Sequence, residues 1–173
     1  MKTVNQLVVL CLQLKFISSK MAPINPALQK LLQLKNKISF FQGLSDEEIS
    51  DLIFNIRFQR FESKEELFHE GCIKTKEIYY LLSGNIDLYL HNKEKKEDAF
   101  LLTMNKPTLF GEMRSFIGEP RSATAVAGDG GAILITFLIK ESKESSSPVA
   151  FAKFYKNVIK SLAKKIMDMN TRV

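Results

Sequence analysis

Residues 110–124 carry the side chains best suited to chemistry in this sequence, and they read FGEMRSFIGEPRSAT. Gly111 has no Cβ, so the backbone can approach a ligand closely at that point. Glu112 opens a predicted helical turn whose N–H groups attract anions, and its carboxylate can accept hydrogen bonds from a sugar hydroxyl. Pro120 fixes the chain just before Arg121, whose planar guanidinium can bind two oxygens of one phosphate. The segment therefore predicts a pocket for a ribose that bears a phosphate.

The residues beside this pair extend the predicted pocket. Ser122 and Ala123 are small enough for the main chain and the serine hydroxyl to reach the same anion. Arg114 has two interpretations from the sequence alone, a side chain facing solvent or a supplementary phosphate contact. The candidate ligand-binding residues are Gly111, Glu112, Met113, Arg114, Arg121, Ser122 and Ala123. A plain structural alternative is that Glu112 and Arg121 form an ion pair in a domain that binds nothing.

Other kinds of site find little support in the sequence. His69 and His91 are too far apart to supply the cluster of histidines and a carboxylate that a metal oxygenase needs. No Ser-His-Asp or Cys-His arrangement is evident, so we expect no enzymatic activity and no metal. Cys11 and Cys72 cannot build a disulfide framework, which predicts a reducing compartment, the cytoplasm. The net charge of +6 suits an anionic ligand or a weak nucleic-acid contact without deciding between them.

Helices are predicted on the N-terminal side of the chain. Asn25-Pro26 is typical of an N-cap followed by proline at the first helical position. Ser45 and Glu48 have the spacing of a capping box, which starts a second helix. Four apolar residues at helical spacing predict that this helix runs for about three turns: Ile49, Leu52, Ile53 and Ile56.

Short apolar runs from Arg57 onward, separated by glycine turns, predict an all-β sandwich or roll. The runs are Leu67-Phe68, Ile78–Leu82, Ile86–Leu90, Phe100–Leu102, Ala123–Ala127 and Ala132–Ile139. The charged run at 92–98 predicts a solvated hairpin tip. The fold class is therefore α+β, with N-terminal helices, strands over about 57–139, a short helix at Glu112 and a C-terminal helix.

The C-terminal helix is predicted over about 149–173. It carries a heptad-like apolar seam of two repeats, formed by Ile159, Leu162, Ile166, Met169 and Val173. The seam is too apolar to leave in water on a lone surface helix, so it predicts either a homodimer through this helix or a cover over the ligand. Two heptads are too short for a stable coiled coil alone, so the dimer is expected to be weak or ligand-dependent.

The segment at 110–124 resembles the phosphate-binding cassette of the cyclic-nucleotide-binding domain family, which includes the catabolite activator protein and the regulatory subunits of protein kinase A. Three further blocks resemble the family in the same order: 40–49, Phe68-His69-Glu70-Gly71 and 79–84. The resemblance covers about residues 38–170 and implies a β-roll of the double-stranded β-helix or jelly-roll type. It implies cAMP or cGMP as ligand, no cofactor, and signalling through movement of the C-terminal helix.

The resemblance also assigns roles to residues. Glu112 takes the position that binds the ribose 2′-hydroxyl, and Arg121 the position that pairs with the cyclic phosphate. Ser122 can serve the phosphate or meet a guanine amino group, so cAMP is only slightly favoured over cGMP. Asn170 and Thr171 are the nearest polar candidates for a lid over the base. The sequence departs from the family at Arg114, where a small residue is usual.

The chain length of 173 residues suits one domain, which we place at 23–173 after an N-terminal extension at 1–22. The apolar stretch within the extension is too short and too polar to span a membrane, and Met21 is an alternative start. After Ile139 too little sequence remains for a helix-turn-helix, so we expect no DNA-binding domain. The alternative function is a ligand-free β-roll scaffold that mediates dimerisation or docking on a partner protein.

Overall fold

The computed structural model describes residues 25–92, 97–140 and 147–170 of the chain. The helices are α1 (Pro26–Leu34), α2 (Asp46–Leu52), α3 (Glu112–Ile117) and α4 (Pro148–Asn170), with two short 3-10 helices at Lys35–Lys37 and Ser39–Phe41. The strands are β1 (Ile53–Phe61), β2 (Glu66–Phe68), β3 (Ile78–Asn92), β4 (Glu97–Met104), β5 (Leu109–Phe110) and β6 (Thr124–Ile139). The α+β class predicted from the sequence is confirmed.

The two predicted helix starts are present. The Asn25 side chain accepts a hydrogen bond from the Ala27 N–H at 2.9 Å, with Pro26 at the first helical position. Ser45 and Glu48 form the reciprocal capping box, with bonds of 3.2 and 2.8 Å. Side-chain capping satisfies backbone donors that the first turn of a helix leaves without partners.

The end of α2 differs from the prediction. The helix stops at Leu52 after two turns, and Ile53 and Ile56 lie in β1. Ile53 pairs with Ile139 of β6, and the register of β1 shifts between Phe54 and Arg57, where Asn55 has a φ of 53°. Ile53 and Ile56 adopt extended backbone in spite of their helical spacing, because β-branched residues favour strands and β6 is available for pairing.

The strands form one antiparallel sheet in the order β1-β6-β3-β4, with β2 on β6 and β5 on β3. The two long strands β3 and β6 pair along most of their length, with register shifts near Ser83 and Gly84. The sequence pattern predicted two separate strands where the structure has one long strand, both in β3 and in β6. Bulges explain the difference, because they let a strand bend without ending. Asn92 pairs with Glu97 across the predicted hairpin, whose tip at 93–96 lies outside the described residues. This bent antiparallel sheet is the expected β-roll.

Two apolar cores lie on opposite faces of the sheet. Tyr79 and Leu81 of β3 point into the roll interior, which also holds Phe68 and Phe110. Their neighbours Ile78 and Tyr80 point to the other face and pack against the helices, in a cluster that includes side chains from the helices, such as Leu31, Phe40, Ile49 and Phe154. Because a strand alternates its side chains between faces, a continuously buried run such as 78–81 indicates a layer covered on both sides.

The helix α4 is anchored to the helical core mainly by a face other than the predicted seam, of which Leu162 alone among the described side chains contributes. The buried face consists of Ala150, Phe151, Phe154 and Val158, and Leu162 packs against the same cluster. Ile159 and Ile166 are 64% and 58% exposed, while the side chain of Met169 and all of Val173 lie outside the described residues. Ile159 and Ile166 are therefore not buried against the rest of the described chain, and the cover over the ligand and the homodimer both stay predictions.

Candidate functional site

The cassette is placed by strand β5 and by two glycines that bound α3. Leu109 and Phe110 pair with Tyr80 and Tyr79 of β3, so the cassette leaves the sheet beside the roll interior. Gly111 then adopts the left-handed conformation, with φ of 69°. A Cβ built on Gly111 would lie 2.7 Å from Arg121 Nη1 and 3.0 Å from the Tyr79 ring. Two independent reasons therefore require glycine at this position: its positive φ, and the short distance between Arg121 and the point where a Cβ would stand.

Arg121 is buried beneath the cassette, with only 3% of its surface exposed. Its backbone pairs with the turn at Gly71: the Gly71 N–H donates to the Arg121 carbonyl at 2.8 Å, and the Arg121 N–H donates to the Cys72 carbonyl at 3.0 Å. Burial of the guanidinium lowers the pKa of Arg121, yet arginine keeps its proton in proteins. The structure thus holds a fixed positive charge in the interior of the cassette.

The Arg121 guanidinium donates to backbone oxygens and stacks on aromatic rings. Nη1 donates to the Gly111 carbonyl at 2.5 Å, and Nη2 donates to the Glu77 carbonyl at 2.8 Å and the Thr75 hydroxyl at 3.3 Å. The carbon Cζ lies 4.3 Å from the centre of the Phe68 ring, a cation–π contact. Neutral oxygens and an aromatic ring orient the guanidinium, and no carboxylate of the described residues pairs with it.

Glu112 is also buried, with 5% of its surface exposed, and its partner comes from the C-terminal helix. Lys165 Nζ lies 3.3 Å from Glu112 Oε1 and also donates to the Leu109 carbonyl. Among the described residues, Glu112 therefore pairs with Lys165 and not with Arg121. The structural alternative of a Glu112–Arg121 ion pair is wrong.

Two polar side chains of α3 attach the cassette to the segment before β3. Arg114 Nη1 donates to the Gly118 carbonyl, and Nη2 donates to the Ile73 carbonyl at 3.0 Å. The Ser115 hydroxyl donates to the Lys76 carbonyl. Arg114 is half-buried and hydrogen-bonded, so the interpretation of its side chain as facing solvent is wrong.

The remaining predicted residues differ in exposure. Met113 is 46% exposed, and the exposed Ser122 hydroxyl lies 3.7 Å from Met113 Sδ. Ala123 is buried and immediately precedes β6. Asn170 is the last residue of α4, but its side chain and all of Thr171 lie outside the described residues, so the proposed base lid stays a prediction.

Sequence reasoning missed Lys165, Thr75 and Glu77. Thr75 and Glu77 contribute mainly backbone oxygens, which carry no signal in the sequence. Lys165 stands in a helix rich in lysine, and only the docking of α4 distinguishes it from its neighbours. Within the described ranges, no group of three or more His, Cys, Asp or Glu side chains could hold a metal ion, and every helix is too short or too polar to span a lipid bilayer.

Comparisons with known proteins agree with the fold of this chain. Residues 58–136 match the family model of the cyclic nucleotide-binding domain. A cyclic nucleotide-binding domain from Methylobacillus flagellatus is 20% identical, with a TM-score of 0.64, and 84% of this chain and 82% of that one are covered. Comparison with curated protein sequences finds no match.

Two larger proteins share the same fold. The catabolite activator protein of Thermus thermophilus is 21% identical, with a TM-score of 0.56, and the match covers 78% of this chain and 61% of that one. The regulatory domain of Toxoplasma gondii protein kinase A, solved with cAMP, is 16% identical with a TM-score of 0.59, and the match covers 82% and 50%. The chain therefore spans about six tenths of the length of the first structure and about half of the length of the second. At such identities the likeness shows a shared fold.

Proposed function

We propose that the chain, whose residues 58–136 match the family model of the cyclic nucleotide-binding domain, binds a cyclic nucleotide at the cassette formed by residues 110–124. The ligand is cAMP, with cGMP as the alternative, and the signal is a movement of α4. The observation that carries the proposal is the state of Arg121, a guanidinium that is 3% exposed and has no carboxylate partner among the described residues. A buried charge without a counter-charge is costly, and a phosphate would supply one.

The phosphate site combines the Arg121 guanidinium with backbone N–H groups of the cassette around Arg114, Ser122 and Ala123. Hydrogen bonds between a guanidinium and a phosphate are shorter and stronger than those between neutral groups. Phe68 and the carbonyls of Gly111 and Glu77 hold the guanidinium in place, so little side-chain entropy is lost when the ligand binds. A cytoplasmic location belongs to the same proposal.

The direct test is titration calorimetry of the chain with cAMP, with cGMP and with a cyclic dinucleotide. We expect saturable binding of cAMP and weaker binding of cGMP. A tenfold advantage for cGMP would reverse the order of preference. If none of the three binds at millimolar concentration, the proposed function is wrong and the ligand-free scaffold is favoured.

Glu112 is proposed to accept a hydrogen bond from the ribose 2′-hydroxyl. A hydrogen bond to a carboxylate contributes about 1.5–3 kcal/mol and one to a neutral amide about 1 kcal/mol. We therefore expect the wild type to prefer cAMP over 2′-deoxy-cAMP by roughly 10- to 100-fold, and the Glu112→Gln variant by roughly fivefold. Competition with labelled cAMP measures both ratios.

Glu119→Gln is the matched control, since Glu119 lies in the same segment and is exposed. It should keep the wild-type preference for the ribose hydroxyl. The role of Glu112 would be excluded if Glu112→Gln and wild type lost affinity for the deoxy analogue equally.

The contacts of Lys165 support the proposed movement of α4. The first half of this helix is fixed by Phe151, Phe154 and Val158 in the helical core. The second half reaches the cassette through Lys165, which occupies the carboxylate that the ribose needs. We propose that the ribose hydroxyl displaces Lys165 from Glu112 and so releases the second half of α4.

Replacing Lys165 by methionine should therefore raise the affinity for cAMP. A partly exposed ion pair contributes at most about 1 kcal/mol, so the gain is expected to be about 3- to 5-fold. Hydrogen exchange should also become faster in the second half of α4 without ligand, because its attachment is lost. Lys160→Met, on the exposed side of the same helix, should change neither quantity. A fall in affinity for Lys165→Met would instead mean that Lys165 contacts the ligand.

A further inference from the structure

The buried guanidinium nitrogens of the cassette point to a second phosphate contact. Among the described residues, only two buried side-chain nitrogen or oxygen atoms have no hydrogen-bond partner, and they are Nε of Arg114 and Nε of Arg121. Buried donors in folded proteins are nearly always paired, since an unpaired one has given up water without a replacement. That both exceptions are arginines of one cassette indicates an acceptor that belongs to the function of the site.

The two guanidinium groups are held in the same manner. In each arginine both terminal nitrogens donate to backbone oxygens, those of Gly118 and Ile73 for Arg114, and those of Gly111 and Glu77 for Arg121. These bonds fix the planes of the guanidinium groups and leave the buried Nε–H of each without an acceptor. Both arginines also contact the same stretch of chain, 73–77, so the cassette and this stretch form one unit.

The charges of the site lead to the same conclusion. No carboxylate of the described residues lies within ion-pair distance of Arg114 or Arg121, and the carboxylate of Glu112 is paired with Lys165. Burial is the main cause that lowers the pKa of Arg121, and the positive charge of Arg114 lowers it further, so the two guanidinium groups repel each other. An anion with several oxygens would relieve this repulsion and accept hydrogen bonds from both Nε atoms.

We propose that the side chain of Arg114 binds the phosphate of the ligand together with Arg121, so that two guanidinium groups hold one anion. This inference rests on the proposed function, since it names a further contact of the same ligand. It also assigns a role to Arg114, a position where the sequence departs from the pattern it resembles. If Arg114 only attached α3 to the Ile73 carbonyl, replacing Arg114 would leave the salt dependence of ligand affinity unchanged, because that hydrogen bond has a neutral acceptor.

The test measures cAMP affinity as a function of salt concentration for wild type, Arg114→Ala, Arg114→Lys and Arg60→Ala. Arg60 is the control, because it is an exposed arginine of β1 that pairs with Glu62. We expect Arg114→Ala to lose roughly 10- to 100-fold in affinity, the range for one charged hydrogen bond. Its affinity should also depend less on salt, since one charge no longer faces the phosphate. Arg114→Lys should keep the salt dependence, and Arg60→Ala should stay within twofold of wild type.

The outcomes separate this inference from the function on which it rests. If wild type binds cAMP and Arg114→Ala binds within twofold of it, Arg114 is not a ligand contact. A loss of affinity with unchanged salt dependence and a lower melting temperature would assign Arg114 a purely structural role and overturn the inference. If Arg114→Ala does not fold, the Arg114→Lys variant decides between the two roles. Wild-type affinity and salt dependence in this variant support the charge contact, and a large loss of cAMP affinity contradicts it. Failure of wild type to bind cAMP or cGMP removes the proposed function and this inference together.

Discussion

Replacing Arg121 by alanine is expected to abolish measurable cAMP binding at micromolar concentration. Removing one partner of a buried, hydrogen-bonded charge pair costs about 2–5 kcal/mol, which corresponds to roughly 30- to several-thousand-fold in affinity. The side chain is 3% exposed, so solvent cannot compensate for its loss. Calorimetry or fluorescence competition with labelled cAMP measures the effect.

The same substitution should also destabilise the fold, because Arg121 holds the carbonyls of Gly111 and Glu77. We expect the free energy of unfolding to fall by about 1–3 kcal/mol, the cost of leaving buried acceptors unpaired. Binding is therefore measured at a temperature where both proteins are folded. Arg121→Lys keeps the charge but cannot form the planar fork, so its affinity should lie between those of alanine and wild type. If the alanine variant, once folded, binds cAMP within threefold of wild type, the assignment of the cassette is wrong.

Introducing alanine at Gly111 is expected to lower both stability and ligand affinity. The residue has φ of 69°, which costs an L-residue about 1–2 kcal/mol. In addition, the new Cβ would meet Arg121 Nη1 at 2.7 Å and Tyr79 Cδ2 at 3.0 Å, and overpacking of this kind costs about 1–3 kcal/mol. The expected loss of stability is thus about 2–5 kcal/mol, measured by urea unfolding. Displacement of the guanidinium should weaken cAMP binding at least tenfold, since a misplaced donor no longer aligns with phosphate oxygens.

Gly43→Ala is the control for this experiment. Gly43 has φ of 78°, and no neighbouring atom lies within 4 Å of the point where its Cβ would stand, so the substitution introduces backbone strain without a clash. It should lose only the strain contribution and keep wild-type affinity. Equal losses of stability and affinity for the two alanine variants would mean that the contact between Gly111 and Arg121 has no functional importance.

Local sequence patterns determined the starts of the helices and predicted the position of the cassette. Asn25, Ser45 and Glu48 act on backbone groups within three residues of themselves, so their effect can be read from spacing alone. Gly111 and Arg121 are likewise separated by only a short helix, and their residue types are rare enough together to indicate a phosphate site. Such features need no knowledge of distant contacts.

Tertiary structure decided where α2 ends and which face of α4 is buried. Ile53 and Ile56 fit a helix by spacing, but pairing with β6, more than seventy residues later, draws them into β1. In α4 two apolar stripes compete, and the stripe with Phe151, Phe154 and Val158 is buried because it meets Phe40 and Phe41 of a distant 3-10 helix. The free energy of burying aromatic rings depends on which partners are available, and these contacts are not encoded in local periodicity.

The partners of the two charged site residues were also decided by the tertiary structure. The sequence placed Glu112 and Arg121 in one cassette, which suggested that they either bind a ligand or bind each other. The two side chains do not pair with each other, since the fold supplies Lys165 from α4 for the carboxylate and backbone oxygens of Gly111, Thr75 and Glu77 for the guanidinium. Every residue has a backbone oxygen, and only the tertiary structure decides which of these oxygens accept hydrogen bonds from an arginine. Residue types therefore determined the chemistry available to this protein, whereas the packing of α4 and of residues 73–77 determined which charges are paired.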